Sequence, residues 1–397
     1  MRRGCARWRL ALASAGLAVA GCTRPASPPA PPTAVETALV PFGDQRPTAR
    51  PRWLDIGDVA YAESWCQEYR DEAAHVTLRY QPQQPSGHFQ ATLRARGLKP
   101  NFCYQLKLMG RPPGLWPDGD GVLNEWLGRH GRWWDYRYEK VVDNFTNDTV
   151  YDRLPAADRG WVVGYVYFGC VVTDGQGNLA ATPLTADHSY HVTGLPDQDG
   201  FLREAPGTRR EYPLDRSGPA YAPGTPAGPA TIFLEGERDD PVELPPLPAG
   251  RHHLVLMLTE ESFHARDRAG GSWRSAFVTD WPTSPSPQGH RPWVTQPGTP
   301  LLVTMPASAA ATEVAILNPR DGDQLAGEAV VQIRAPRDAK VEWAVDDGPW
   351  QPTTLNPESG FHEADWATSG AQPHRLRARA TTGSTTTEAK PVSVAAS

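Results

Sequence analysis

The stretch WVVGYVYFGCVVTDGQGNLAATPL, residues 161–184, decides the fold. Apart from Gly164 and Gly169, residues 161–172 are apolar or aromatic at odd and even positions alike. Side chains alternate between the two faces of a strand. A strand with no polar face is covered on both sides, in the interior of a sheet. The segment TDGQGN follows, with glycines where a tight turn needs them. LAATPL then leaves as a returning strand.

Composition extends this reading to the whole chain. The 397 residues include 41 prolines and 36 glycines, a poor source of long helices and a good source of turns. Short runs of Val, Leu, Tyr and Thr lie between Gly, Pro and Asp clusters, and HSYHVTGL, PATIFLEGE, RHHLVLMLTEESF and RSAFVTDW continue the series. The expected fold is all-β. One large, elaborated β-sandwich spans residues 51–305, with long insertions near 110–160 and 194–228, and a second sandwich follows at 312–397. An alternative divides 51–305 into two small domains near 215–228.

Upstream, FQATLRARGLKPNFCYQLKLMG (89–110) places Phe89, Ala91, Leu93 and Ala95 on one face of a strand, then Phe102, Tyr104, Leu106 and Leu108 on the next. Gly97, Leu98, Pro100 and Tyr104 resemble the G-L-x-P-x-x-x-Y corner of fibronectin type III domains. The resemblance implies that the leucine ends one strand and the tyrosine opens the next, its hydroxyl bonded to the connecting backbone. Residues 51–87 are too few for the strands that family places before its corner, so a sandwich corner is expected, not a regular domain of that type.

Residues 312–397 read as about six or seven alternating strands, the pattern of an immunoglobulin-like sandwich. TEVAILNP opens the series. EAVVQIRAP puts Val331, Ile333 and Ala335 on one face, and KVEWAVDDGPW does the same with Val341, Trp343 and Val345 before an Asp-Gly turn. In HRLRARATT, Leu376, Ala378 and Ala380 face inward, while Arg375, Arg377 and Arg379 form a solvated stripe. The run resembles the bacterial Ig-like modules of surface proteins. Trp343 and Trp366 are expected in its core.

The chain begins MRRGCARWRLALASAGLAVAGCTRPASPPAPPT. Arg2, Arg3, Arg7 and Arg9 precede an apolar run of roughly a dozen residues, short of the about 20 that span a bilayer. This is the plan of a secretory signal. Val19-Ala20-Gly21-Cys22 resembles the lipobox of bacterial lipoproteins. It implies cleavage after residue 21, lipidation of Cys22, a membrane partner through that anchor, and a place in the cell envelope. Thr23 stands where aspartate marks inner-membrane retention in Gram-negative family members, which favours the outer membrane. Residues 22–50, rich in proline, are expected to be an extended tether.

The formal net charge is −6, and the segment 1–21 carries four arginines and no acid. The chain behind it is therefore more acidic still, which argues against nucleic acid as a partner. Cys66, Cys103 and Cys170 remain in an oxidising compartment, which allows one disulfide of undetermined pairing and leaves an odd cysteine buried, free or intermolecular.

The richest chemistry lies in LWPDGDGVLNEWLGRHGRWWDYRYEK (115–140). It holds Trp116, Trp126, Trp133, Trp134, Tyr136 and Tyr138, with Asp135 and other charged groups. Rings stack on sugar faces and carboxylates bond hydroxyls, so this is a candidate glycan platform. The competing reading is a small core of large rings that pins the insertion to the sandwich. PDGDG lacks the ligand spacing of an EF-hand loop and reads as a tight turn. His188 and His191 on a strand face opposite sides, as do His252 and His253, so no metal or other cofactor is expected. No G-x-S-x-G elbow occurs, and adjacent acids such as Glu260 and Glu261 diverge. The expected function is a lipid-anchored, non-enzymatic binding, adhesion or envelope-structural protein, with polysaccharide or an envelope protein as partner. The alternative is a carbohydrate-active enzyme or its accessory, using the Trp-rich insertion as its platform.

Overall fold

The computed structural model describes residues 33–41, 53–114, 116, 119–135, 148–190, 208–232, 241–260, 274–279, 301–306, 314–356, 360–368 and 372–396. The signal segment, Cys22, Tyr136 and Tyr138 lie outside them. Thr33–Ser397 forms one compact unit.

The first part comprises β1 (Val35–Pro41), α1 (Glu63–Glu68), β2 (His75–Tyr80), β3 (Phe89–Arg96), β4 (Cys103–Gly110), α2 (Gly121–Arg129), β5 (Arg132–Asp135), α3 (Asp148–Arg153), α4 (Ala156–Arg159), β6 (Val162–Val172), β7 (Leu179–Ala186) and β8 (His188–Ser189). It continues with β9 (Arg210–Leu214), β10 (Gly228–Ile232), β11 (Val242–Glu243), β12 (Gly250–Glu260), β13 (Arg274–Val278) and β14 (Leu301–Met305). The fold is dominated by strand but includes helix. The all-β expectation is corrected at α1–α4, three of which (α2, α3 and α4) lie in the insertion at 110–160.

The strand order is β5-β6-β4-β12-β13-β1-β2-β3-β7, with β14 beside β12. β1 pairs with β2 from Val35 to Leu39 and with β13 at Val40 and Pro41, so it joins two halves of the sheet. Side chains from both halves meet in one core. Leu78, Phe89, Leu93 and Leu184 come from the β1-β2-β3-β7 half; Tyr104, Leu106, Leu108, Val166, Leu256 and Leu258 come from the other. Each fully buried aliphatic or aromatic side chain contributes about 1.5–3 kcal/mol. The expected tether at 22–50 is thus overtaken from Val35 onward, because Leu39 and Thr37 are buried in the sheet.

β6 has the two covered faces that its sequence requires. Val166, Phe168 and Val171 enter the shared core, while Val163, Tyr165, Tyr167 and Cys170 enter clusters on the other side. The register slips between Leu106 and Lys107, opposite Tyr167 and Gly169. That bulge puts Tyr167 and Cys170 on one face, where their side chains meet at 3.0 Å. The turn after β6 is closed by Asp174, whose Oδ1 accepts from the N–H groups of Gln176 and Asn178. Gly177 has φ +76°, and a Cβ there would meet the Leu98 carbonyl.

The last part comprises β15 (Ala315–Asn318), β16 (Gln324–Leu325), β17 (Glu328–Arg334), β18 (Lys340–Val345), β19 (Gln351–Pro352), β20 (Thr354–Leu355), β21 (His362–Ala367), β22 (Pro373–Thr382), β23 (Thr385–Glu388) and β24 (Val392–Ala396). One sheet runs β15-β17-β21-β20 and the other β10-β9-β16-β24-β22-β18-β19, with β23 beside β22. Val331 and Ile333 of the first share a core with Val341, Trp343, Leu376, Ala378 and Val394 of the second. Trp343 and Trp366 meet edge to face within it.

The second sheet begins with β10 and β9; β9 falls within the expected insertion at 194–228, and β10 starts at its last residue. Arg210 of β9 pairs with Leu325 of β16. Leu214 and the half-buried Tyr212 and Ala230 then pack on Ile56, Cys103, Tyr167 and Cys170 of the first part. This stretch is a shared wall between the two parts. Cys66, Cys103 and Cys170 are buried thiols with no disulfide among them. Burial pushes the Cys66 thiol up from its ordinary value.

Candidate functional site

The Trp-rich insertion is built on α2. Asp120 caps the helix, its Oδ1 accepting from the N–H groups of Val122 and Leu123. Leu123 and Leu127 enter the large core of the first part. Asn124, on the same face, donates to the Val162 carbonyl and accepts from the Gly164 N–H. The helix comes this close because Gly164 has no side chain; a Cβ there would sit 2.1 Å from the Asn124 carbonyl oxygen.

The rings do not share one surface. Trp133 and Trp134 alternate on β5 and so point to opposite faces. Trp133 is 0% exposed, stacks on Tyr151 at 3.6 Å and donates Nε1–H to Asp148 at 2.8 Å. Trp134 and Trp116 lie with Met109, Tyr165, Val255 and Met257 in a second core on the outer face of the sheet. Trp126 is half-buried, its ring beside that of His130, whose pKa burial lowers. Asp135 is buried at 2% exposure. Among the described residues no aromatic side chain is strongly exposed. The rings at 116, 133 and 134 have protein on their faces, as the small-core reading requires.

Three polar clusters carry chemistry that the sequence left unmarked. In the first, Lys99 is 0% exposed and paired with buried Glu260. Its ammonium lies 4.1 Å from the Trp53 ring centroid, 4.8 Å from Tyr69 and 5.2 Å from Phe102. A buried ammonium is tolerated only with such compensation. The cluster fixes 53–69 onto the corner at 97–104, where the Lys99 N–H donates to the Tyr104 hydroxyl at 3.2 Å. Burial pushes the Tyr104 phenol well up.

The second cluster fastens the C-terminal part to the first part. Arg334 donates to Asp187 Oδ2 at 2.8 Å, and His188 Nδ1 meets Asp187 Oδ1 at 2.6 Å. Burial opposes the Asp187 carboxylate, but the hydrogen bond and charge of His188, with the Arg334 and His88 charges, outweigh it and hold the pKa at about 2. Glu243, opposite His188 across the β8–β11 pair, is pushed up by burial. Arg210 reinforces this region, bonding Asp323 at 2.9 Å and the Asn318 amide oxygen.

In the third, His252 of β12 bonds Asp120 at 2.7 Å and the Pro248 carbonyl at 2.6 Å. No group of three or more metal-ligating side chains occurs among the described residues. No helix among them is long and apolar enough to cross a membrane. Each cluster joins two distant segments, so the chemistry that the arrangement supports most directly is fastening. The chain matches no protein-family model and no curated protein.

Proposed function

We propose that the protein is an envelope lipoprotein, anchored through acyl chains on Cys22, that works without catalysis as a rigid structural or binding body. The observation that carries this reading is Val19-Ala20-Gly21-Cys22 behind an arginine-led apolar run. Two or three acyl chains, at about 0.8 kcal/mol per buried CH₂, anchor stably. The body is a fibronectin-like sandwich, as the Gly97–Tyr104 corner and its Lys99–Tyr104 bond support, followed by an Ig-like module. The inward rings and the buried fastenings support a scaffold over a substrate cleft. Its partner is an envelope polysaccharide or protein met on the outer surface.

Cell fractionation tests the anchor. Cys22→Ser should release the protein into the soluble fraction; continued dependence on detergent would sink the proposal. A soluble 23–397 chain, mixed with cell-wall and extracellular polysaccharides, tests the rest. A saturable change in tryptophan fluorescence without new reducing ends fits a binding body. New reducing ends would replace this reading with a carbohydrate-active enzyme.

A further inference from the structure

His252 is 5% exposed, and both of its ring nitrogens face oxygens that can only accept. Nδ1 lies 2.7 Å from an Asp120 carboxylate oxygen and Nε2 lies 2.6 Å from the Pro248 carbonyl. A neutral imidazole has one N–H; either tautomer would leave a lone pair pointing at one of these oxygens. Only the protonated ring donates to both. The same Asp120 carboxylate caps α2 through Oδ1 and holds the ring through Oδ2, so one side chain ties the helix start to β12. Asp120 faces the ring from the helix. Across the β12–β14 pair its opposite residue is the apolar Val303. On its own strand it is flanked by Arg251, which is exposed, and His253, which is half-buried.

We propose that His252 is a buried imidazolium whose two donated bonds fasten α2, and with it the Trp-rich insertion, to the sandwich, so that this attachment tightens with acidity and loosens as the proton is lost. Histidine is the side chain that changes charge between about pH 5 and 8. Losing the proton removes one bond of the charged kind, a change of about tenfold or more in the local opening equilibrium.

The test uses the full chain in detergent micelles with ¹⁵N-labelled histidine. At about pH 5.5, both ring nitrogens of His252 should carry protons. As the pH rises to about 9, one should lose its proton while amide protection at Val122 and Leu123, corrected for the intrinsic exchange rate, falls by about tenfold. In His252→Gln the protection should be lower at the acidic end and flat. A neutral-tautomer pattern at about pH 5.5 would overturn the proposal without any variant. So would wild-type protection that does not change with pH, or an unchanged pH response in His252→Gln.

Discussion

Asp120–His252 and Asp187–His188 use the same two side chains at 2.7 and 2.6 Å, both largely buried, yet they fasten different things. In the first, the ring has acceptors on both nitrogens and the aspartate caps a helix. In the second, the aspartate is shared with Arg334 and the ring has a partner only on Nδ1; its Nε2 is buried with none. His188, through its hydrogen bond and charge, and then Arg334 hold the Asp187 carboxylate ionised. One aspartate therefore divides its two oxygens between a helix cap and a ring, and the other between a ring and a guanidinium.

The largest effects separate the regions that these pairs hold. Trp133→Ala should cost about 4 kcal/mol in denaturant unfolding, since it removes a fully buried ring from the α2 side. A ring that served as a platform would instead weaken glycan binding at unchanged stability. Arg334→Ala should cost about 3 kcal/mol and leave Asp187 buried with only a histidine beside it. Limited proteolysis should then cut between the two parts while the sandwich stays whole. Asp120→Ala should cost about 2 kcal/mol, through the lost cap and the stranded His252. His188→Gln should cost about 1.5 kcal/mol, since it weakens the bond that most supports the buried Asp187 carboxylate.

Acid sharpens the same contrast. The Asp187 pKa is depressed from 3.8 to about 2, so its contribution is present above the ordinary value and is lost as pH falls toward about 2. An acid titration followed by tryptophan fluorescence should show this loss in the wild type, least of it in His188→Gln and a reduced loss in Arg334→Ala. Stability independent of Arg334 in that range would mean that Asp187 is not held by the guanidinium.

The parts legible in the sequence are those with a local signal. Phe89, Leu93 and Ala95 alternate in β3 as their spacing requires, and β6 is apolar on both faces because both are covered. The turn after it follows from Asp174 and Gly177. The Trp343 and Trp366 rings are in the core where strand alternation puts them. What was illegible depends on distant partners. Nothing in REYPL or GPATI announces that β9 and β10 will extend a sheet whose other strands begin only at Gln324. The helix α2 had a signal, Asp120 ahead of Val122, Leu123 and Leu127, but the glycines of PDGDG made the segment look like a turn alone. Lys99 sits in a corner motif where its position says nothing of burial; only Glu260 and the rings of Trp53, Tyr69 and Phe102 make the interior habitable for it.

β1 has a mechanical consequence. It lies between β2 and β13, and its backbone bonds to both run crosswise to the strand. Tension applied to the chain ahead of Val35 pulls along the strand axis. The bonds of that strand would then be loaded together in shear instead of opening one after another. Under the proposed anchor at Cys22, a pull on the body would meet its strongest resistance at the strand where the load enters.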